Sequence, residues 1–119
     1  QLNTPRKELL WKADLRKPGD RIQISRNGNR DRCSRAMLYN TARMSDNGLP
    51  FSKEATMTKM FCSEMCVRVC DMGLQIMGGY AFVTNIGERM YRDAKLLTIG
   101  EGTSEICRMV VGRFVLKEY

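Results

Sequence analysis

The sequence predicts an all-α fold, an antiparallel helical bundle. Apolar residues recur at three- and four-residue spacing, most clearly at Met57, Phe61, Met65, Val69, Met72 and Ile76. Only three prolines interrupt 119 residues, and no sustained apolar/polar alternation points to a sandwich or barrel. Helices joined by short loops pack naturally as antiparallel neighbours, and the length suits one small domain.

Residues 1–34 read as a basic, turn-rich segment without a clear fold. Within it lie a short helix candidate at 6–15, a turn signal at Pro18-Gly19, a second turn-rich patch at 26–30, and a short strand candidate at 21–25 without a partner. Residues 35–119 form the bundle. A helix beginning near Asp31 has an apolar face supplied by Ala36, Met37, Leu38, Tyr39 and Ala42. It ends near Asp46-Asn47, with Gly48 as its stop and Pro50 just beyond. A long helix opens at Ser52 with Glu54 in its first turn, presents the Met-rich stripe as core, and stops at Gly78-Gly79. A shorter helix over 86–97 turns Met90, Ala94 and Leu97 inward. The last runs to about Lys117 with Ile106, Met109, Val110, Phe114 and Val115 on one face, capped by Thr103 or Ser104.

The net charge of +7 is concentrated at the front: residues 1–36 hold ten Lys or Arg against four Asp or Glu. Trp11 is the only aromatic there and no amphipathic stripe organises the charge, so a solvated segment is expected rather than a nucleic-acid site. No apolar run approaches the roughly 18 residues of a membrane span. The first residues carry neither an initiator Met nor an apolar signal core, the pattern expected of a fragment and not of an exported protein.

Cys62, Cys66 and Cys70 recur every fourth residue on one helix, a spacing that does not suit disulfide geometry. With no histidine in the chain, a zinc site would need thiolates alone, so small buried thiols in a reducing compartment are expected.

The organising stretch is residues 96–106, where Glu101 sits between Gly100 and Gly102 with Thr103-Ser104 behind it. Flanking glycines permit a tight turn and close approach of a ligand to the backbone. The turn leads into a helix N-terminus, whose free N–H groups favour an anion or a ligand oxygen. Taken alone, the same pattern also describes a capping loop with an exposed acid.

Three segments together say more. Gln75-Ile76-Met77-Gly78-Gly79-Tyr80, then Glu88-Arg89-Met90-Tyr91-Arg92-Asp93-Ala94-Lys95, then Glu101-Gly102-Thr103-Ser104-Glu105-Ile106 resemble, in order and spacing, the closing motifs of acyl-CoA dehydrogenases. The resemblance extends back through residues 51–55 to about Arg35. It implies a flavoenzyme that oxidises an acyl-CoA thioester to its trans-2-enoyl form, with FAD as cofactor and an electron-transfer flavoprotein as acceptor. Glu101 stands where the family's catalytic base stands; the chemistry asks for a carboxylate in a desolvated cleft, and the Glu101 N–H is expected to bond the thioester oxygen. Glu101 and Gly102 thus become the substrate-binding candidates.

By the same resemblance Thr103 and Glu105 match positions that approach FAD, although many relatives carry Gln in place of Glu105. Gln75, Gly78 and Gly79 match a segment that contacts FAD held by a neighbouring subunit, which implies a homo-oligomer. Arg92-Asp93 reads as a structural ion pair or cap. Gly100 departs from the family's frequent Tyr. Family members are several times longer, so the bundle is incomplete by that standard, and the expected compartment is the mitochondrial matrix or cytoplasm. An acyl-CoA oxidase, or a truncated non-catalytic helical subunit that pairs with a full-length partner, is the alternative reading.

Overall fold

A computed structural model describes residues 17–83 and 86–119. The helix candidate at 6–15 lies outside them. The described residues contain helices and no strand: α1 (Pro18–Asp46), α2 (Ser52–Met77), α3 (Gly79–Val83), α4 (Ile86–Leu97) and α5 (Ser104–Leu116). The bundle is all-α, as expected. None of these helices is long and apolar enough to cross a membrane.

α1 corrects the reading of its first half. Residues 21–25 are helical rather than extended, Pro18-Gly19 opens the helix, and the patch at 26–30 lies within it. The boundary drawn at residue 34 therefore falls inside one continuous helix. Pro18 suits a first-turn position because its missing N–H would have no intrahelical acceptor there, and Asp20 places a carboxylate at the positive end of the helix dipole. The far end closes on Gly48 at φ 65: the Gly48 N–H reaches Ser45 O at 3.0 Å and the Leu49 N–H reaches Met44 O at 2.9 Å, a Schellman arrangement.

α2 is the central helix and packs against α1, α4 and α5. Burial is consequently spread around it. Its most buried residues are Thr58 and Ser63, while the Met57-to-Ile76 stripe is only half-buried and Phe61 is exposed. To α1 it is joined by polar contacts: Thr41 and Thr58 hydroxyls 2.9 Å apart, the Arg30 guanidinium on the Met72 sulfur at 3.2 Å, and the Cys62 thiol donating to Ser34 O at 3.7 Å. Gly78, at φ 58, ends α2.

The fully sequestered apolar positions are small, namely Ala81, Ala94 and Cys107. Ala94 is inward as expected, whereas Met90, Leu97, Ile106, Met109 and Val115 are exposed. Of the apolar face expected on α1 only Met37 is half-buried, with Ala36, Leu38, Tyr39 and Ala42 exposed. With α2 as their principal partner, α4 and α5 each bury one narrow edge, and the flanks of that edge remain open. The cysteines also divide: all five are free thiols, but only Cys107 is buried and Cys33 is exposed. Arg92 and Asp93 do not pair with each other. Arg92 reaches Glu88 at 3.9 Å and Arg89 reaches Asp93 at 3.6 Å, the i,i+4 geometry that adjacent residues on a helix cannot achieve.

Candidate functional site

The connection between α4 and α5 is a compact turn built almost entirely from backbone bonds. The Ile99 and Gly100 N–H groups return to Leu96 O at 3.0 and 2.8 Å, and the Ser104 N–H closes the loop on Thr98 O at 3.1 Å. Glu101 sits at its apex with φ 54, the only non-glycine residue in the left-handed region among those described, followed by Gly102 at φ 101. That conformation is costly for a residue with a Cβ and persists only where the surroundings impose it. The Glu101 N–H has no backbone acceptor among the described residues.

Two clefts flank the turn. The first, about 590 Å³, is largely apolar; Glu101 and Gly100 line it together with Leu96 and Leu97 of α4 and Lys59, Cys62, Ser63 and Cys66 of α2. Glu101 itself is exposed, so the chain does not on its own provide the desolvation expected of a general base. The second, about 420 Å³, is polar. Thr103, Ser104, Glu105 and Arg108 of the α5 entry line it with Glu64 and Arg68 of α2 and Lys95 and Thr98.

Thr103 is the cap: its hydroxyl accepts the Ile106 N–H at 3.4 Å. Ser104, the other candidate cap, is instead buried, and its hydroxyl finds no hydrogen-bond partner. The cleft beside this helix N-terminus carries three cations, Lys95, Arg68 and Arg108, against two carboxylates, Glu64 and Glu105. The Glu105 carboxyl is held below the usual carboxylate range by its own backbone N–H and the Thr103 hydroxyl, with Arg108 and Lys95 adding to the effect. Arg108 spans the cleft, reaching Glu105 at 3.8 Å and pairing with Glu64 across to α2.

Glu101, Gly102, Thr103 and Glu105 are thus brought together on one turn, Glu101 lining one cleft and the last two the other. Gln75, Gly78 and Gly79 are not. Gln75 is exposed in the last turn of α2, Gly78 is its C-cap and Gly79 starts α3. The α2 residues of the two clefts that lie nearest to Gln75 are Cys66 and Arg68, nine and seven residues away, about 14 and 10 Å at the helical rise. Neither cleft reaches them. A third groove of about 180 Å³ runs near that end, between Ile24 and Asn27 of α1, Ile76 and Met77 of α2, and Gly87 and Met90 of α4.

Sequence reasoning missed Lys59, Ser63, Glu64 and Arg108. Lys59 and Glu64 had a local signal: they are the only charged residues between Glu54 and Arg68.

The family model for the C-terminal domain of acyl-CoA dehydrogenases matches residues 29–116. A probable acyl-CoA dehydrogenase of Bacillus subtilis is 49% identical over 85 residues, covering 71% of this chain and 22% of that protein. A subunit of the caffeyl-CoA reductase-Etf complex of Acetobacterium woodii is 41% identical over 86 residues, covering 71% and 23%. Among solved structures, butyryl-CoA dehydrogenase from Megasphaera elsdenii superposes with a TM-score of 0.85 at 28% identity, covering 92% of this chain and 31% of that one. The chain spans about a fifth of the length of the curated relatives it matches.

Proposed function

Because the chain belongs to the acyl-CoA dehydrogenase family, by its C-terminal helical domain, we propose that it supplies the catalytic base and part of the FAD site for α,β-dehydrogenation of an acyl-CoA thioester. The observation that carries this reading is Glu101 itself. It is a carboxylate held at φ 54 on a glycine-flanked turn, lining an apolar cleft, in a costly backbone that persists only where its surroundings impose it.

In this reading Glu101 removes the proton beside the thioester carbonyl, and its own N–H donates to the thioester oxygen as negative charge develops there. Leu96 and Leu97 offer apolar surface to the acyl group. FAD, when bound, accepts the hydride from the neighbouring carbon. The polar cleft fits part of such a cofactor. Thr103 and the α5 N-terminus offer donors, and Lys95, which forms no ion pair among the described residues, provides positive charge for a diphosphate, Arg68 and Arg108 being paired with Glu64. Glu105 can only accept hydrogen bonds, and Arg108 offsets its charge. Gln75, Gly78 and Gly79, which line neither cleft, would serve a second cofactor molecule in a homo-oligomer. An electron-transfer flavoprotein is the proposed acceptor, in keeping with the Etf complex named for the Acetobacterium relative.

The test is the visible spectrum of the chain with FAD, before and after anaerobic addition of a saturated acyl-CoA. Bleaching that disappears in Glu101→Gln with flavin still bound supports the assignment; bleaching retained in that variant refutes it. Oxygen consumption without an added acceptor would mark an oxidase instead. A folded chain that binds no flavin would favour the second reading, a helical portion completed by a full-length partner. The exposed Met90, Leu97, Ile106 and Met109 support that alternative.

A further inference from the structure

The Lys59 ammonium donates to the Gly102 carbonyl, a contact between residues 43 apart in sequence. Gly102 immediately follows Glu101, and the two take successive positive φ values of 54 and 101. Bonds within the loop close its two ends, at Gly100 to Leu96 and at Ser104 to Thr98, but they leave the apex between them to other restraints. The Cys107 thiol also approaches the Gly102 carbonyl, at 3.9 Å, as a weak donor from the helix that follows. Lys59 is the donor that reaches the apex from a different element, the central helix α2. It is half-buried, it lines the same cleft as Glu101, and it forms no ion pair among the described residues.

We propose that Lys59 is a positioning residue: by holding the Gly102 carbonyl, its ammonium anchors the Gly102–Thr103 peptide, so that the left-handed Glu101–Gly102 pair before it is kept in place together with the position at which the carboxylate is presented. A charge-assisted bond to a carbonyl is stronger than a neutral one and is directional enough to select one orientation of that peptide. A left-handed glutamate relaxes when such a restraint is removed, because the right-handed and extended regions are both lower in energy for a residue with a Cβ. The role in catalysis rests on Glu101 being the base; the clamp itself does not.

The experiment is NMR on the whole isotope-labelled chain. In the unmodified protein the Lys59 ammonium protons are expected to be protected from exchange and to show contacts to Gly102 and Thr103. Absence of both would overturn the proposal without any variant. In Lys59→Met the Glu101 Cα and Cβ shifts lose their left-handed signature while the α1 and α4 signals stay in place, and Lys59→Arg restores it. Unchanged Glu101 and Gly102 shifts in Lys59→Met would overturn the clamp. A disturbed turn in Lys59→Met alongside substrate bleaching retained in Glu101→Gln would leave the clamp standing and remove Glu101 as base, so the two readings fail separately.

Discussion

Gly87 of α4 lies directly against Ala81 of α3: a Cβ on Gly87 would stand 2.9 Å from the Ala81 Cβ and 3.0 Å from its carbonyl oxygen, with Leu74 Cδ2 also at 3.0 Å. Ala81 is fully buried, so the backbone oxygen has no room to yield. The usual helix-propensity gain of Gly→Ala, close to 1 kcal/mol, is outweighed here by overpacking, which costs typically 1–3 kcal/mol. Gly87→Ala is expected to lower the urea midpoint by the equivalent of about 1–2 kcal/mol, and Gly87→Val to lower it further. A midpoint equal to or above that of the unmodified chain would show that α3 and α4 separate easily.

The α1–α2 interface is held by a relay of hydroxyls. Thr41 donates to Met37 O at 3.0 Å, which leaves Thr58 as donor to the Thr41 oxygen at 2.9 Å. Since Thr58 is only 6% exposed, removing its acceptor leaves a buried hydroxyl unpaired. Thr41→Val should cost about 1–2 kcal/mol, whereas Thr41→Val with Thr58→Val should cost less than the two single substitutions summed. A double-mutant cycle in urea measures the coupling; strict additivity would mean that the hydroxyls do not act as a pair.

Thr103 serves both the helix and its neighbour. Its hydroxyl accepts from the Ile106 N–H, and its bond to the Glu105 carboxyl helps to hold that group below its usual range. Thr103→Ala should cost about 1 kcal/mol as a lost cap, and Thr103→Ser should restore most of it. A depressed carboxyl stabilises the fold above its unfolded value, roughly 4.3, and that contribution is lost as pH falls through the lower folded value. In Thr103→Ala the folded value rises toward the unfolded one, so the loss should be smaller and complete at higher pH, which titration of Glu105 by NMR and acid unfolding followed by circular dichroism will read.

The helices that were legible in the sequence have glycine stops and apolar spacing: Ser52 to Gly78, and residues 86–97, where breakers and period agree. The first half of α1 was not. The face it turns toward α2 includes Gln23, Asn27, Arg30, Ser34 and Thr41, spaced as a helix requires but polar, while Gly28 and Asn29 lower its intrinsic propensity. Hydrophobic periodicity cannot detect a polar interface, and only the partners across it, Met72, Cys62 and Thr58, reveal the helix. The same division applies to the turn. Gly100 and Gly102 announced a tight turn, since glycine permits one locally, but the left-handed φ of Glu101 and the contact of the turn with Lys59 depend on how α2 meets the turn across 43 residues.

Cys70 offers a test at alkaline pH. Burial, with the neighbouring Cys66 thiol, pushes its pKa up to about 11, and Cys62 is raised in the same direction, chiefly by burial. A raised thiol means that the folded state keeps its proton after the unfolded chain, with a value of roughly 8.5, has released it. The stability tied to that proton is complete below the unfolded value and is lost as pH rises toward about 11. The urea midpoint should fall between pH 8.5 and 11, and Cys70→Ala should flatten that fall. Alkylation at pH 8 gives an independent reading, because only the thiolate reacts and access also matters. Cys33, which is exposed, should be modified first, and Cys70 roughly a hundredfold more slowly. Equal rates at the two positions would mean that α2 opens to solvent around Cys70 on the timescale of the reaction, and the alkaline fall should then be absent as well.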